Sequence, residues 1–175
     1  MSALVAALRK RGWVIRESTK AIPLLPDDVR ARYPAVPPEV TRFLEQFDIA
    51  HNADENVWFL TPTEFRQTDP EGFQWNEYER MALETEAGKS EARSAVRAFW
   101  NDHLPIMLAV HSDYDYLAVR VAGPEAGSIV HGFAPDWEQA SRGRSRSFCR
   151  ASPRRPRRVT RSFRTVSSCN RAVPS

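Results

Sequence analysis

Two aspartates, Asp113 and Asp115, are the first residues whose type and spacing could support chemistry. In a strand their side chains would point to the same face, because successive strand residues alternate between faces. Paired carboxylates can act as an acid and a base, or they can bind a metal ion. Such residues also commonly cap a turn where a strand begins, and this is the interpretation that we favour.

Three histidines, His103, His111 and His131, could meet across neighbouring strands and ligate a metal ion. The alternative is that they are ordinary, partly exposed histidines, and we predict no metal site. His111, Ser112 and Asp113 contain the atoms of a catalytic triad, but adjacent strand residues face opposite sides and cannot converge. The sequence also lacks a glycine-rich phosphate loop and a nucleophile elbow. We therefore predict that the protein is not an enzyme and holds no cofactor.

The tryptophans are candidate anchors for a protein partner, because tryptophan is frequent at binding hot spots. Trp58 and Trp100 have apolar neighbours in the sequence and are expected in the core, whereas Trp75 and Trp137 have polar neighbours and are expected at the surface. For the acidic residues near them, a solvated surface is the plain alternative to a partner contact. The candidate contact charges are Glu71, Glu77, Glu79, Asp113, Asp115, Asp136 and Glu138.

Three strands are predicted to position most of these residues. Leu104 to Val110 is a continuous apolar run, and β-rich runs follow over Tyr114 to Val121 and over Ser128 to Phe133. Short polar or glycine- and proline-containing links separate the three runs, which is typical of an antiparallel meander. The C-terminal part of the fold is therefore predicted to be a three-strand meander.

Helices are predicted to pack on this sheet. Val40, Phe43, Leu44 and Phe47 follow the i, i+3, i+4, i+7 spacing of a core-facing helix. A short apolar run at 57–60 predicts a strand, and the capping pattern that follows predicts a short helix over 62–67. The fold class is thus α+β, a single domain with a central antiparallel sheet and with helices near 3–11, 39–48 and 89–101. Residues 21–38 are expected to form turns, and residues 68–80 a loop or irregular helix.

The charge is divided unevenly along the chain. Arg142 to Ser175 contains eleven arginines and no lysine, aspartate or glutamate. Because the whole chain has a net charge of +3 and this segment carries +11, the preceding 141 residues carry −8. The acidic part is therefore expected to attract basic partners.

The arginine-rich part, taken as residues 141–175, is built largely of Arg, Ser and Pro. It should not form a packed core, and we predict a disordered tail. One hypothesis is that it is a product of a shifted reading frame in a GC-rich gene. If it is genuine, it could bind nucleic acid by neutralising phosphates.

The location of the protein is expected to be cytoplasmic. No apolar run approaches the roughly 18 residues of a membrane span, and the basic residues near the N-terminus follow the apolar run, the reverse of a signal peptide. Both cysteines lie in the tail and indicate neither a disulfide framework nor a zinc site.

The order of the motifs resembles that of the SUKH superfamily, whose Smi/Knr-type members include fungal cell-wall-synthesis regulators and many bacterial immunity proteins. The similar segments are PPEVTRFLEQFD, VWFLTPTEF, HLPIMLAVHSDYDYLAVRV and GSIVHGFAPDWE, and they lie between residues 20 and 140. The chain differs in having no glycine in DIAHNADENVWF and no amphipathic helix after the last strand. We therefore interpret residues 1–140 as a SUKH-like domain.

This resemblance implies a non-enzymatic protein that binds and neutralises a cognate bacterial toxin. Many such toxins are nucleases with basic substrate sites, and an acidic binder would associate with them quickly through electrostatic steering. Two alternatives remain open. One is a regulatory or scaffolding module of the same superfamily without a toxin partner, and the other is a nucleic-acid-binding protein that acts through the arginine-rich tail.

Overall fold

An antiparallel sheet forms the centre of the computed structural model, which describes residues 3–69, 72–111 and 114–134, and the backbone of 146–147. Its strands are adjacent in chain order. They are β1 (Val14–Glu17), β2 (Phe47–His51), β3 (Val57–Phe59), β4 (His103–Ala109), β5 (Asp115–Arg120) and β6 (Ser128–Phe133), with the two-residue β7 (Arg146–Ser147) at the edge of β6. The predicted α+β class with a central antiparallel sheet is confirmed.

Helices and one short 3-10 turn flank the sheet. They are α1 (Ala3–Lys10), α2 (Asp27–Arg32), α3 (Pro38–Leu44), the 3-10 turn Glu64–Arg66, α4 (Glu77–Thr85) and α5 (Ser90–Asp102). Within the described ranges, no helix combines the length and the apolar character needed to cross a membrane.

The register of β4 to β6 separates two faces of the sheet. On one face Leu108 pairs with Tyr116, which pairs with Gly132. The Tyr116 ring on this face contacts Trp100 of α5 at a centroid distance of 4.9 Å. The side chains of the opposite face alternate with these. On that face Phe59 of β3 contacts Phe43 of α3 at 5.5 Å, whereas His131 and Phe133 of β6 are exposed.

The apolar run of β4 is explained by its central place in the sheet. Six of its seven residues are buried, with only Met107 half-exposed. A strand with neighbours on both sides and helices on both faces of the sheet buries the side chains of both faces, so its sequence is a continuous apolar run and not an alternation.

The helix predicted over 39–48 is shorter than its periodicity indicates. Helix α3 ends at Leu44, and Phe47 is the first residue of β2, where it pairs with Glu17 of β1. Phe47 is buried, as the helical spacing predicts, but it is buried from a strand. Pairing between β1 and β2 overrides the local helical pattern, which is why the prediction is wrong at this end.

Two helices lie where turns or irregular chain are predicted. Helix α2 begins directly after Pro26 with Asp27 and Asp28 in its first turn, where carboxylates favour a helix start. Helix α4 begins at Glu77, inside the segment predicted to be a loop or irregular helix, and is a regular helix. Its only buried apolar residues are Tyr78 and Ala82, so its apolar stripe is too narrow to recognise in the sequence.

The short helix predicted over 62–67 is a single 3-10 turn, and no side-chain cap starts it. Arg66 at its end instead donates to the carbonyl oxygens of Pro23, Leu24 and Pro62, at distances of 2.8 to 3.1 Å. One guanidinium thereby ties the loop before α2 to the segment after β3.

Candidate protein-binding surface

Asp115 is the first residue of β5 and pairs with Phe133 near the end of β6. Its side chain is 20% exposed. His111 Nε2 lies 3.7 Å from Oδ2, and His131 Nε2 lies 3.5 Å from Oδ1. Among the described residues, no group hydrogen bonds to the buried Oδ1. A mostly buried carboxylate thus has only two loosely placed imidazoles beside it, although buried polar groups are normally hydrogen-bonded.

An aromatic side chain borders this carboxylate. Phe133 is 36% exposed, and its ring lies 5.0 Å from that of His131. Because residues paired across antiparallel strands share a face, Phe133 stands beside Asp115. We call His111, Asp115, His131 and Phe133 the Asp115 surface.

Tyr78 of α4 packs on the Tyr116 face of the sheet, which is opposite to the face of Asp115. Its ring contacts both Tyr114, at 6.2 Å, and the partly exposed Phe73, at 5.7 Å. Its hydroxyl donates to the carbonyl of Ala109 at the end of β4. Burial raises the pKa of Tyr78, and the negative charge of Asp115 adds to this, so the hydroxyl stays protonated and remains a donor.

Tyr114 has a backbone φ of +48°, in the left-handed region. A bulky residue other than glycine is uncommon there and carries a conformational cost. The fold therefore presents this ring at the surface at some expense to local stability.

Glu79 lies in a very different place from Asp115. Its two carboxylate oxygens accept from Arg32 of α2, at 2.7 and 2.8 Å, and Arg32 also donates to Asn101 of α5 at 2.9 Å. Glu79 is 6% exposed. The prediction of Glu79 as a partner-contacting charge is corrected by this geometry, because the ion pair buries the carboxylate among three helices.

Arg32 also lies over the ring of its neighbour Tyr33, 5.2 Å from the centroid. Burial by itself would lower the pKa of Arg32, but the hydrogen bond from Arg32 to Glu79 and the charges of Tyr33 and Glu79 raise it above the ordinary value. The guanidinium is therefore a permanent cation in this pair.

Trp75 and Glu77 are both engaged within the fold. The half-buried Trp75 ring contacts Tyr33 at 6.2 Å and Phe65 at 5.7 Å, so it packs on the core and does not stand out as an exposed anchor. Glu77 accepts from the backbone N–H of Gln74 and from Arg80 at the start of α4. The other predicted contact residues lie outside the described residues: Glu71, Asp113, Asp136, Trp137 and Glu138.

The three histidines of the metal hypothesis do not meet. His103 begins β4, at the end of the sheet opposite His111, and its ring stacks on Phe99 at 4.2 Å. Its Nδ1–H donates to the Phe99 carbonyl at 2.8 Å, and burial lowers its pKa. Across the ranges that the structure describes, no group of three or more His, Cys, Asp or Glu side chains is arranged to hold a metal ion.

A cleft of ≈ 320 Å³ lies between the loop before α2 and helix α3. Its polar groups are already used inside the fold, since Glu45 accepts from the backbone N–H of Leu24 at 2.7 Å and Arg30 donates to the carbonyl of Leu25 at 3.0 Å. The cleft therefore offers shape but few free polar groups for a ligand.

Comparison with known proteins found no relative. No protein-family model matches the chain, and no curated protein and no solved structure is significantly similar to it. The SUKH resemblance therefore stays a prediction that depends on the sequence motifs.

Sequence reasoning missed the aromatic part of the Asp115 surface. In β6 the exposed His131 and Phe133 alternate with the buried Val130 and Gly132. Period-two alternation would have placed both exposed side chains on one face, and pairing β5 with β6 would have added Asp115 to that face.

Proposed function

We propose that this chain is a protein-binding module without catalytic activity and that its partner presents a basic surface. The observation that supports this best is the Asp115 surface. A mostly buried carboxylate, whose Oδ1 receives no hydrogen bond from the described residues, lies on the same face as the exposed side chains of His131 and Phe133. Binding hot spots typically combine aromatic or arginine anchors with desolvated pockets.

The charge of the chain supports a basic partner independently. The 141 residues before the arginine-rich segment carry −8, as counted above. Complementary charge speeds association by steering, and the effect weakens as salt rises. A positively charged partner would therefore associate quickly with this part of the chain at low ionic strength.

The motif resemblance extends the proposal to the kind of partner. The chain is an immunity protein that neutralises a cognate bacterial toxin in the cytoplasm of the cell that makes both. A nuclease is the toxin class that suits an acidic inhibitor, because the site that holds a nucleic-acid backbone is basic. A regulatory module of the same superfamily remains the alternative without a toxin.

The test uses the gene adjacent to the one for this chain. The toxin-like protein that it encodes is expressed in a laboratory bacterium with and without this full-length chain, and the purified pair is titrated by calorimetry at two salt concentrations. We expect restored growth and a stoichiometric complex that weakens with salt. An adjacent gene without a toxin, or toxicity that the chain leaves unchanged, would contradict the proposal.

A second candidate function is nucleic-acid binding through residues 142–175, and the eleven arginines there are the observation that favours it. The full chain and a chain ending at residue 141 would be compared for affinity to double-stranded DNA at several salt concentrations. Binding through the segment requires that the shorter chain lose both the affinity and most of its salt dependence. Equal affinity of the two chains would eliminate this function.

A further inference from the structure

We propose that the Asp115 surface receives an arginine side chain of the partner, whose guanidinium pairs with the Asp115 carboxylate and lies against the ring of Phe133. This inference rests on the proposed function and names the contact that the partner makes.

The chain itself contains a completed version of such a site. At Glu79 a mostly buried carboxylate receives two hydrogen bonds from Arg32, and the guanidinium lies 5.2 Å from the centroid of the Tyr33 ring. At Asp115 a mostly buried carboxylate shares a face with the ring of Phe133, but no guanidinium of the described residues hydrogen bonds to its Oδ1. The Asp115 surface thus has an acceptor and a ring, as the Glu79 site has, without the donor.

The two histidines beside Asp115 do not supply the missing hydrogen-bond donor. His111 and His131 approach the carboxylate only to 3.7 and 3.5 Å, and their side chains are 42% and 54% exposed. Exposed imidazoles can rotate into solvent at little cost. Because Oδ1 is buried in this structure, an entering cation reaches it only once the His131 imidazole has rotated away. The cation then replaces two weak contacts by stronger, charge-assisted hydrogen bonds.

Arginine fits this surface better than lysine does. A guanidinium is planar, donates to both oxygens of a carboxylate and stacks on aromatic faces, whereas an ammonium is a compact and strongly hydrated charge. Phe133 offers an exposed ring on the same face as the carboxylate. A flat cation that can stack on this ring while it pairs with the carboxylate therefore suits the surface better than a compact one.

The first experiment needs only the full-length chain. The ¹⁵N-labelled protein is titrated by NMR with N-acetylarginine amide, with N-acetylcitrulline amide as the uncharged control of the same shape. We expect saturable shifts at the amides of Asp115, His131 and Phe133, and affinity for citrulline weaker by on the order of tenfold, the loss of one hydrogen bond to a charged group.

Two carboxylate variants of the chain make this titration specific. Asp115→Asn should abolish the saturable shifts, while Asp27→Asn should leave them unchanged, because Asp27 is 98% exposed and has only Arg30 nearby at 3.6 Å. Shifts spread over acidic residues in general, or shifts that survive in Asp115→Asn, would overturn the inference.

The second experiment separates this inference from the proposed function. Asp115→Asn and Phe133→Ala are tested for binding to the toxin of the adjacent gene, with Ile22→Ala as a control whose side chain is as exposed as Phe133. We expect at least tenfold weaker binding for the first two and no change for the third. If the wild-type chain binds the toxin and both surface variants bind equally well, the inference fails and the function stands. If the wild-type chain does not bind it, the function fails and the arginine titration alone decides the inference.

A second copy of this chain is the competing occupant of the Asp115 surface. Sedimentation of the wild-type chain and of Asp115→Asn distinguishes it from a partner protein. A monomer in both cases supports the inference, and a dimer that the substitution dissociates would overturn it.

Discussion

Glu79 and Asp115 are both mostly buried carboxylates, with side chains 8% and 20% exposed, but the fold treats them in opposite ways. Glu79 receives two hydrogen bonds from Arg32. Asp115 receives none at Oδ1 from the described residues. Removing a carboxylate from water is costly unless donors replace the water. Where the fold supplies those donors the residue is structural, whereas Oδ1 of Asp115 is buried without such a donor among the described residues.

The elements around the two carboxylates explain this difference. Glu79 lies in α4, and its partner Arg32 connects it to α2 and, through Asn101, to α5. Asp115 lies at the first position of a strand, at the end of the sheet. A residue between packed helices meets neighbours from several sides, whereas a residue at a strand end has solvent on one side.

Breaking the Glu79 ion pair should have the largest effect on the free energy of unfolding. Arg32→Leu leaves the Glu79 carboxylate buried without its donors, and we expect the free energy of unfolding to fall by about 3 kcal/mol. Urea denaturation followed by circular dichroism measures this change. The double variant Arg32→Leu with Glu79→Leu is the control, since replacing both partners by apolar groups should recover most of the loss. A loss below about 1 kcal/mol in the single variant would mean that the pair is not structural.

Removing the Tyr78 hydrogen bond, on the other side of the sheet from Asp115, should lower the free energy of unfolding by a smaller but measurable amount. Tyr78→Phe removes the hydroxyl that donates to the Ala109 carbonyl, and we expect a loss of about 1 to 2 kcal/mol because a buried acceptor is left unpaired. Tyr116→Phe is the matched control, because no described residue hydrogen bonds to its buried hydroxyl, and it should be neutral or stabilising. Equal losses in both variants, measured by urea denaturation, would show that the Tyr78 hydrogen bond contributes nothing.

The sequence predicts much of the sheet but only part of the surface that depends on it. The strands β4 to β6 follow from apolar runs and turn residues that are local in the chain, so their pattern survives in the sequence. The Glu79 ion pair could not be predicted, because Arg32 is 47 positions away and their proximity depends on how α2 and α4 pack. The local pattern is enough to predict the strands, but which acidic residue is buried depends on how the elements pack against each other.

The Asp115 surface is harder to predict from the sequence than the strands and easier to predict than the Glu79 ion pair. Asp115 could be selected as an acidic residue at a strand start, yet nothing in its own segment indicates that Phe133 stands beside it. That neighbour follows from the register of β5 against β6, which a turn and a bulge can shift by a residue. A correct strand prediction is thus not sufficient to assemble a surface that crosses two strands.

The end of β4 opposite Asp115 should give a smaller, pH-dependent effect. Burial lowers the pKa of His103 in the folded state, so the unfolded chain binds a proton more readily. The neutral His103 therefore costs no stability above the pKa of an unfolded-state histidine, about 6.5, and stability is lost as the pH falls below that pKa. We expect His103→Gln to flatten this decline in urea denaturation measured from pH 7.5 downwards.

Glu64 contributes to the same measurement with the opposite sign. Burial raises its pKa in the folded state, so its contribution is lost as the pH rises through and above the unfolded value. The difference between wild type and His103→Gln at each pH isolates the histidine, because Glu64 is present in both. Parallel stability curves for the two proteins would contradict the expectation.

Asp115→Asn should have the smallest effect on stability, and this completes the contrast with Glu79. Asparagine keeps the shape and removes a charge that no described donor satisfies at Oδ1, so we expect the free energy of unfolding to change by less than about 0.5 kcal/mol. Glu79→Gln, which weakens two charge-assisted hydrogen bonds, should cost about 1 to 3 kcal/mol in the same denaturation experiment. Comparable losses in the two variants would show that Asp115 is also held by the fold. A near-zero change for Asp115 alone would mean that the fold does not depend on this carboxylate.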